Sequence, residues 1–206
     1  MVKNLIFDCG GVVFGVDYNK SLQAFKQLSS KPELFENIKV IDFKHIASDF
    51  ETGKQTIEEF YNYIRNTYFL EATNAQIQEA WNAMLLDYIP ASVDLIKKLN
   101  KNFKTALFTN TNELHFQEFA PICKNLLETF NFCYYSHKIG LKKPNLDSFE
   151  YVLRNSNFNA EETIFIDDSI ENVEAASKLG IIPLHYTNEW DFNKLEQYLM
   201  SLYNAG

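Results

Sequence analysis

Five short apolar runs constrain this chain more than any other feature: Val2 to Phe7, Thr105 to Phe108, Phe132 to Tyr135, Thr163 to Ile166, and Ile181 to Tyr186. Their lengths suit strands buried on both faces, which need no alternation of apolar and polar residues because neither face meets water. Amphipathic stretches separate the later runs. Asn145 to Asn155 carries Leu146, Phe149, Val152 and Leu153, and Ser169 to Leu179 carries Ile170, Val173, Ala176 and Leu179, both at helical spacing. Strand, helix, strand in this rhythm predicts a mostly parallel sheet covered by helices on both faces, because parallel neighbours need a crossover long enough to hold a helix.

The stretch between the first and second runs contains no convincing strand and reads as helices: Asn19 to Leu28, a segment around His45 to Phe50, Thr56 to Thr67, Asn74 to Leu86, and Ala91 to Asn100. Thr56 with Glu59 three residues later is a capping-box signature, and Glu51-Thr52-Gly53 before it is a natural break. Pro90 stands near the start of the last of these helices, where proline is tolerated. The pattern predicts a helical insertion, roughly residues 16–88, between strand one and the rest of an α/β domain.

Length and charge then limit the function classes. A chain of 24.0 kDa should expose about 10,000 Å² folded against about 35,000 Å² unfolded, enough burial for a full core without disulfide or metal staples. The net charge of −8 and pI near 5.0 repel nucleic acid and anionic membrane surfaces, so neither is an expected partner. An anionic substrate must be met by a local positive device. Three cysteines, Cys9, Cys123 and Cys133, without CxxC spacing argue against a disulfide framework and against a cysteine zinc site. The opening MVKNLIFDCGGVV is interrupted by Asp8 and reads as neither a signal peptide nor a spanning helix, and a cytoplasmic location is expected.

Four polar clusters share one positional rule: each is expected at the carboxyl end of a predicted strand, the edge where open parallel sheets bind ligands. Asp8-Cys9-Gly10-Gly11 puts a carboxylate at a buried strand end, followed by glycines that permit close backbone approach; a turn-capping aspartate is the alternative. Thr109-Asn110-Thr111-Asn112 offers hydroxyl, amide and backbone N–H groups as an oxyanion cradle, or caps a helix containing Glu113 and His115. Gly140-Leu141-Lys142-Lys143-Pro144 offers a lysine held by a stiffened loop, or two solvated lysines. Asp167 and Asp168 end the run Phe165-Ile166, and adjacent carboxylates repel unless a cation lies between them or one is otherwise engaged. Ser169 alone suffices to cap the helix that follows. With Asp8, the two aspartates supply hard oxygen ligands suited to Mg²⁺.

Taken in order, Asp8, Thr109-Asn110, Lys143-Pro144 and Asp167-Asp168 resemble motifs I to IV of the haloacid dehalogenase-like hydrolase superfamily. The phrases FDCGGVVFGVD, FTNTNELH, GLKKPNLDSF and FIDDSIENVEAA look closest to its phosphatase branch with a helical cap inserted after motif I, including sugar-phosphate phosphatases. The resemblance implies an α/β fold with a Rossmann-like parallel-sheet core, residues 1–15 and 89–206, and an inserted α-helical cap domain, residues 16–88. It implies that Asp8 is the nucleophile, forming an aspartyl-phosphate. Mg²⁺ would be held by Asp8, the carbonyl of Gly10 and Asp168, with Asp167 nearby or bound through water and Asn172 supporting the metal waters. Thr109 and the backbone N–H of Asn110 would hold phosphoryl oxygens, and Lys143, the lysine directly before proline, would neutralise developing charge; Lys142 is its neighbour. The expected partner is a small phosphorylated metabolite such as a sugar phosphate, and a monomer is the default oligomeric state.

One position departs from the pattern. Most phosphatases of the superfamily place a second aspartate two residues after the nucleophile as general acid and base, and here that position is Gly10, which offers a carbonyl but no proton. The lack suits good leaving groups such as anomeric sugar phosphates, or is made up by a cap residue or water. Asp17 is a candidate for that part, although its place before Asn19 to Leu28 fits helix capping. His45, Glu51 and His115 either contact substrate or are polar residues at the surface or at helix ends. Two other functions stay open at this point. A non-catalytic phosphometabolite binder has Gly10 in its favour. A haloacid dehalogenase would use Asp8 without metal and leave the paired Asp167 and Asp168 unexplained.

Overall fold

The computed structural model describes residues 1–36, 38 and 46–204; the expectation for His45 and the start of its helix lies outside the described residues. Strand β1 (Asn4–Phe7) is buried at every position. After β2 (Phe14–Val16), helices α1 (Tyr18–Leu28), α2 (Ser48–Glu51), α3 (Ile57–Thr67) and α4 (Asn74–Asn82) lead to β3 (Leu85–Tyr88). The chain continues through α5 (Pro90–Leu99), β4 (Lys104–Thr109), α6 (Glu113–Ile122), α7 (Lys124–Leu127), β5 (Phe132–Tyr135) and α8 (Ser136–Ile139). It ends with α9 (Leu146–Ser156), β6 (Thr163–Asp167), α10 (Ile170–Ser177), β7 (Ile182–His185) and α11 (Phe192–Asn204).

Five strands form a parallel sheet in the order β5-β4-β1-β6-β7. Side chains alternate across it. Leu5 and Phe7 face a cluster with Leu95, Leu99, Phe119, Leu126, Leu195 and Leu199. Ile6, Ala106, Phe108 and Phe165 face Phe149, Val152, Ala175 and Ala176 on the other side. Helices therefore cover both faces, which is why the strands read as continuous apolar runs. The chain moves outward from β1 through β4 to β5 and then returns to the opposite side of β1 for β6 and β7. The topological switch therefore falls between β1 and β6, and it opens a crevice at their carboxyl ends.

The segment between β2 and β3 has an apolar cluster of its own, including Phe25, Phe50, Phe60, Ile64, Ile77 and Trp81. Phe50 and Phe60 stack at 4.3 Å, and Phe60 tilts onto Trp81 at 4.9 Å. Both α3 and α4 begin with capping boxes, Thr56 with Glu59 and Thr73 with Gln76.

Two expectations for this region are corrected. The helix anticipated over Asn74 to Leu86 stops at Asn82, and β3 pairs antiparallel with β2, forming a two-stranded ribbon where no strand was anticipated. Neither strand carries a period-two pattern: Phe14-Gly15-Val16 is short, and Leu86 and Asp87 are exposed while Leu85 and Tyr88 are half-buried. Each is a strand because a partner distant in sequence lies beside it, and local pattern does not report that.

A buried polar knot ties this segment to the sheet. Asn112 caps α6: its Oδ1 accepts from the His115 backbone N–H (3.1 Å) and from Trp81 Nε1 (3.3 Å). That orientation leaves the Asn112 amide nitrogen to donate to His115 Nδ1 (3.1 Å), so the imidazole proton is on Nε2, which donates to the Trp81 carbonyl (3.3 Å). The imidazole stacks on Trp81 at 4.8 Å, and burial pushes its pKa down to about 4, keeping it neutral. Replacing Asn112 strands three buried polar groups at once, whereas Thr56→Ala removes one exposed cap. We expect Asn112→Ala to cost roughly 2–4 kcal/mol and Thr56→Ala about 1 kcal/mol. In thermal unfolding Asn112→Ala should therefore lower Tm at least about twice as far, at some 2–4 °C per kcal/mol in a chain of this size.

Candidate active site

The parallel register places Phe7 opposite Leu107 and Ile166, so Asp8, Thr109 and Asp167 emerge close together at one sheet edge. Lys143 is 2% exposed and reaches into this edge from the loop after α8, so the expectation that its cluster sits at a strand end is corrected: a short helix separates it from β5. An ammonium has three N–H donors, and all three are used: Asp8 Oδ1 accepts at 2.7 Å, Asp167 Oδ2 at 2.6 Å and the Phe108 carbonyl at 2.9 Å. The loop carrying Lys143 is held by Asn110, whose side chain donates to the Lys143 carbonyl (2.8 Å) and accepts from its N–H (2.9 Å). Ser136 locks the Thr109-to-Asn112 loop in the same reciprocal way, accepting from the Thr111 N–H (2.8 Å) and donating to the Thr111 carbonyl (2.9 Å).

The two neighbouring aspartates differ sharply. Asp167 is fully buried, and protein donors occupy both of its oxygens: Oδ1 accepts from the Ser169 N–H (2.8 Å) and Asn172 Nδ2 (3.1 Å), and Oδ2 accepts from Asn172 (3.1 Å) in addition to Lys143. Asp168 is exposed in the crevice. Carboxylate oxygens of Asp8, Asp167 and Asp168 lie within 4.8 Å of one another. Gly11 makes this approach possible: at φ +79° a Cβ would lie 2.6 Å from Asp168 Oδ2. Ser169 precedes α10 without a side-chain cap bond, so the expectation that its hydroxyl caps that helix is corrected; Asp167 holds the Ser169 N–H instead.

Three carboxylates facing one ammonium leave the cluster short of positive charge. Burial pushes the Asp8 carboxyl from its ordinary 3.8 up to about 7; Lys143 opposes the rise, and Asp167 and Asp168 add to it. Burial works against the charge on Lys143, but Asp167 and Asp8 outweigh it and hold its pKa up at about 12. The shortage suits a divalent cation. The clustered carboxylates of Asp8, Asp167 and Asp168 could hold one, with both Asp167 oxygens already accepting from protein donors.

A cavity of about 480 Å³ opens from this edge toward the inserted helices. Asp8, Gly10, Thr109, Asn110, Lys143, Asp168 and Asn172 all line it, so the residues singled out from the sequence converge, with Asp167 buried behind them. His115 also lines it, but both ring nitrogens belong to the knot with Asn112 and Trp81, so it serves as a tie between insert and sheet. Asp17 is not among the lining residues; it caps α1, accepting from the Asn19 N–H at 3.0 Å. Lys142 turns away from Lys143 and pairs with Glu51 at 2.7 Å. Tyr18, Trp81, Met84 and Ser136 were not anticipated. Only Ser136 carried a signal, since it too stands at the end of an apolar run.

The chain belongs to the haloacid dehalogenase-like hydrolase family, whose pattern it matches over residues 6–184. It is similar to the D-ribitol-5-phosphate phosphatase of Bacteroides thetaiotaomicron, at 28% identity over 94% of this chain and 96% of that one. It is also similar to a sesquiterpene phosphatase of Aspergillus oryzae, at 27% identity over 90% of each chain. Among solved structures, a family enzyme of Bacteroides thetaiotaomicron in complex with magnesium and inorganic phosphate superposes with a TM-score of 0.80 at 29% identity, covering 95% of this chain and 99% of that one. The resemblance read from the four motifs is thus borne out, including its phosphatase branch.

The raised Asp8 pKa has a consequence for stability. Between about pH 4 and pH 7 the folded carboxyl keeps a proton that the unfolded chain has released, so folding stability falls as pH rises through this window and stays lower above it. Asn at this position carries no such penalty. In metal-free buffer at pH 8, Asp8→Asn should unfold higher than the parent by about 1 kcal/mol or more, roughly 2–4 °C. The gap should close toward pH 4 and narrow when a divalent cation is added to the parent.

Proposed function

We propose that this chain is a Mg²⁺-dependent phosphatase that hydrolyses a small phosphomonoester of the sugar-phosphate class through an aspartyl-phosphate on Asp8. The observation that carries the reading is Lys143, buried between Asp8 and Asp167 at the base of a cavity whose far wall belongs to the inserted helices. An exposed carboxylate needs no such partner; a buried nucleophile does, because it must stay ionised while it approaches an anion. Lys143 holds Asp8 Oδ1 and so orients the other oxygen toward the crevice. Thr109 and the Asn110 N–H receive phosphoryl oxygens.

Mg²⁺, held by Asp8, the Gly10 carbonyl and Asp168, would supply the charge compensation that lets two anions meet. Asp167 keeps Lys143 charged, and Asn172 in turn steadies Asp167. After attack Asp8 is an acyl phosphate, and water cleaves it to regenerate the carboxylate. Gly10 contributes no proton, and a Cβ there would sit 3.1 Å from Val16 Cγ2, so a side chain at this position would press on β2. The leaving group takes its proton from water or from another cavity group.

In the same reading residues 16–88 act as a cap over a core of residues 1–15 and 89–206, and the protein is a cytoplasmic monomer. A sugar or polyol phosphate is favoured by the Bacteroides relative, named for D-ribitol 5-phosphate. Hydrolysis of p-nitrophenyl phosphate tests the chemistry. The parent should be active with Mg²⁺, silent in EDTA and restored by added Mg²⁺. Asp8→Asn and Lys143→Met should each lose at least about 100-fold in kcat. Equal rates for the parent and Asp8→Asn would sink the phosphatase reading and leave a binder.

A further inference from the structure

Adjacent lysines in this protein have opposite fates. Lys143 points into the carboxylates, while Lys142 pairs at 2.7 Å with Glu51 of α2, with side chains only 13% and 17% exposed. Both partners line the same cavity as Asp8. The contact is a seated one: Gly53, at φ +68°, comes so near the core that a Cβ would lie 2.5 Å from the His137 carbonyl oxygen. The insert thus rests on α8 and the loop after it, with a carboxylate and an ammonium at the seam, inside the wall of the cavity.

The rest of that wall is mostly apolar. The side chains of Val16, Met84 and Leu85 offer no hydrogen bonds, the Trp81 indole N–H and the His115 nitrogens are committed to the Asn112 knot, and Tyr18, near enough to Asp8 and Glu51 to feel their charges, adds one phenol hydroxyl. A molecule whose phosphate is held at Asp8, Thr109 and Lys143 extends its other end toward this wall. Hydroxyl groups both donate and accept, so a carboxylate and an ammonium side by side match a hydroxylated chain. A hydrocarbon in the same place would bury charges without replacing their water, which disfavours it.

We propose that Glu51 and Lys142 form the subsite that reads the hydroxyl groups of the leaving group and so select a polyol or sugar phosphate over an alkyl phosphate of equal length. The inference rests on the phosphoryl site at Asp8 and assigns the specificity of that site to two residues on opposite sides of the seam. Glu51 acts here as a specificity residue, and its carboxylate takes no proton in the reaction.

The test compares kcat/KM for a pentitol 5-phosphate with that for n-pentyl phosphate, in the parent, Glu51→Leu and Glu51→Gln. Loss of a hydrogen bond to a charged group should lower the pentitol-to-pentyl ratio about 10- to 100-fold in Glu51→Leu. Glu51→Gln, which keeps an acceptor, should recover most of it. An unchanged ratio in Glu51→Leu overturns the proposal, as does an equal loss for both substrates in both variants, which would make the pair a closure contact only. Binding gives a second readout. On an Asp8→Asn background, calorimetry should show the Glu51→Leu change weakening the pentitol phosphate by the same factor while inorganic phosphate is held as before. If the parent turns over neither ester, the phosphatase reading fails, and this binding difference still decides the subsite.

Discussion

The structure depends on one buried ammonium. Lys143 fills all three of its N–H positions with Asp8, Asp167 and the Phe108 carbonyl, groups from three adjacent strands. A lysine at 2% exposure is tolerated only when fully paired, and two buried carboxylates side by side are tolerated only with a cation between them. Each half of the cluster therefore requires the other. The surrounding loops are arranged to maintain it: Asn110 clamps the lysine backbone, Ser136 clamps the Thr111 backbone, and Asn172 clamps Asp167. Side chains that line the cavity thus spend much of their hydrogen-bonding capacity on holding one another.

The arrangement carries a stability penalty that function explains. Burial, with Asp167 and Asp168 adding to it against the pull of Lys143, leaves Asp8 with a pKa near 7, so the site is destabilised at the pH where the nucleophile proposed for it must be ionised. A phosphatase that binds Mg²⁺ recovers this on loading, and the charge deficit becomes the driving force for metal binding. The −8 net charge of the chain has the same sense on a larger scale, since a surface that repels phosphate needs a point that attracts it. Gly10 shows a local constraint as well. The position that elsewhere in the superfamily carries a proton donor here packs closely against Val16 of the ribbon.

Much of this was legible in order along the chain. Three of the four motifs stand at strand ends, and strand ends of a parallel sheet lie on one edge, so their order along the chain already brings Asp8, Thr109 and Asp168 together; Lys143 reaches that edge from the loop after α8. What local pattern missed has a common cause. The β2–β3 ribbon joins strands far apart in sequence and half exposed; the Asn112–His115–Trp81 knot joins a strand-end loop to the end of α4; Glu51 meets Lys142 across the seam. In each case the partner is supplied by tertiary packing, and nothing in the periodicity of either segment reports it. His115 is the sharpest instance, since a histidine beside a strand-end cluster reads as a substrate contact until both of its nitrogens are found occupied.

The sequence by itself determined the sheet, its helical cover, the interrupting helical segment and the chemistry of the strand-end residues, because apolar period and residue type are local properties. The motif resemblance already pointed to Lys143 and Asp168; only the tertiary structure gave the physical reason, burying Lys143 and Asp167 while Asp168 faces the crevice, and only it decided which groups wall the far end of the cavity. Those are questions of direction and pairing. Two neighbouring lysines, or two neighbouring aspartates, are chemically equal until the fold buries one and leaves the other at the cavity wall.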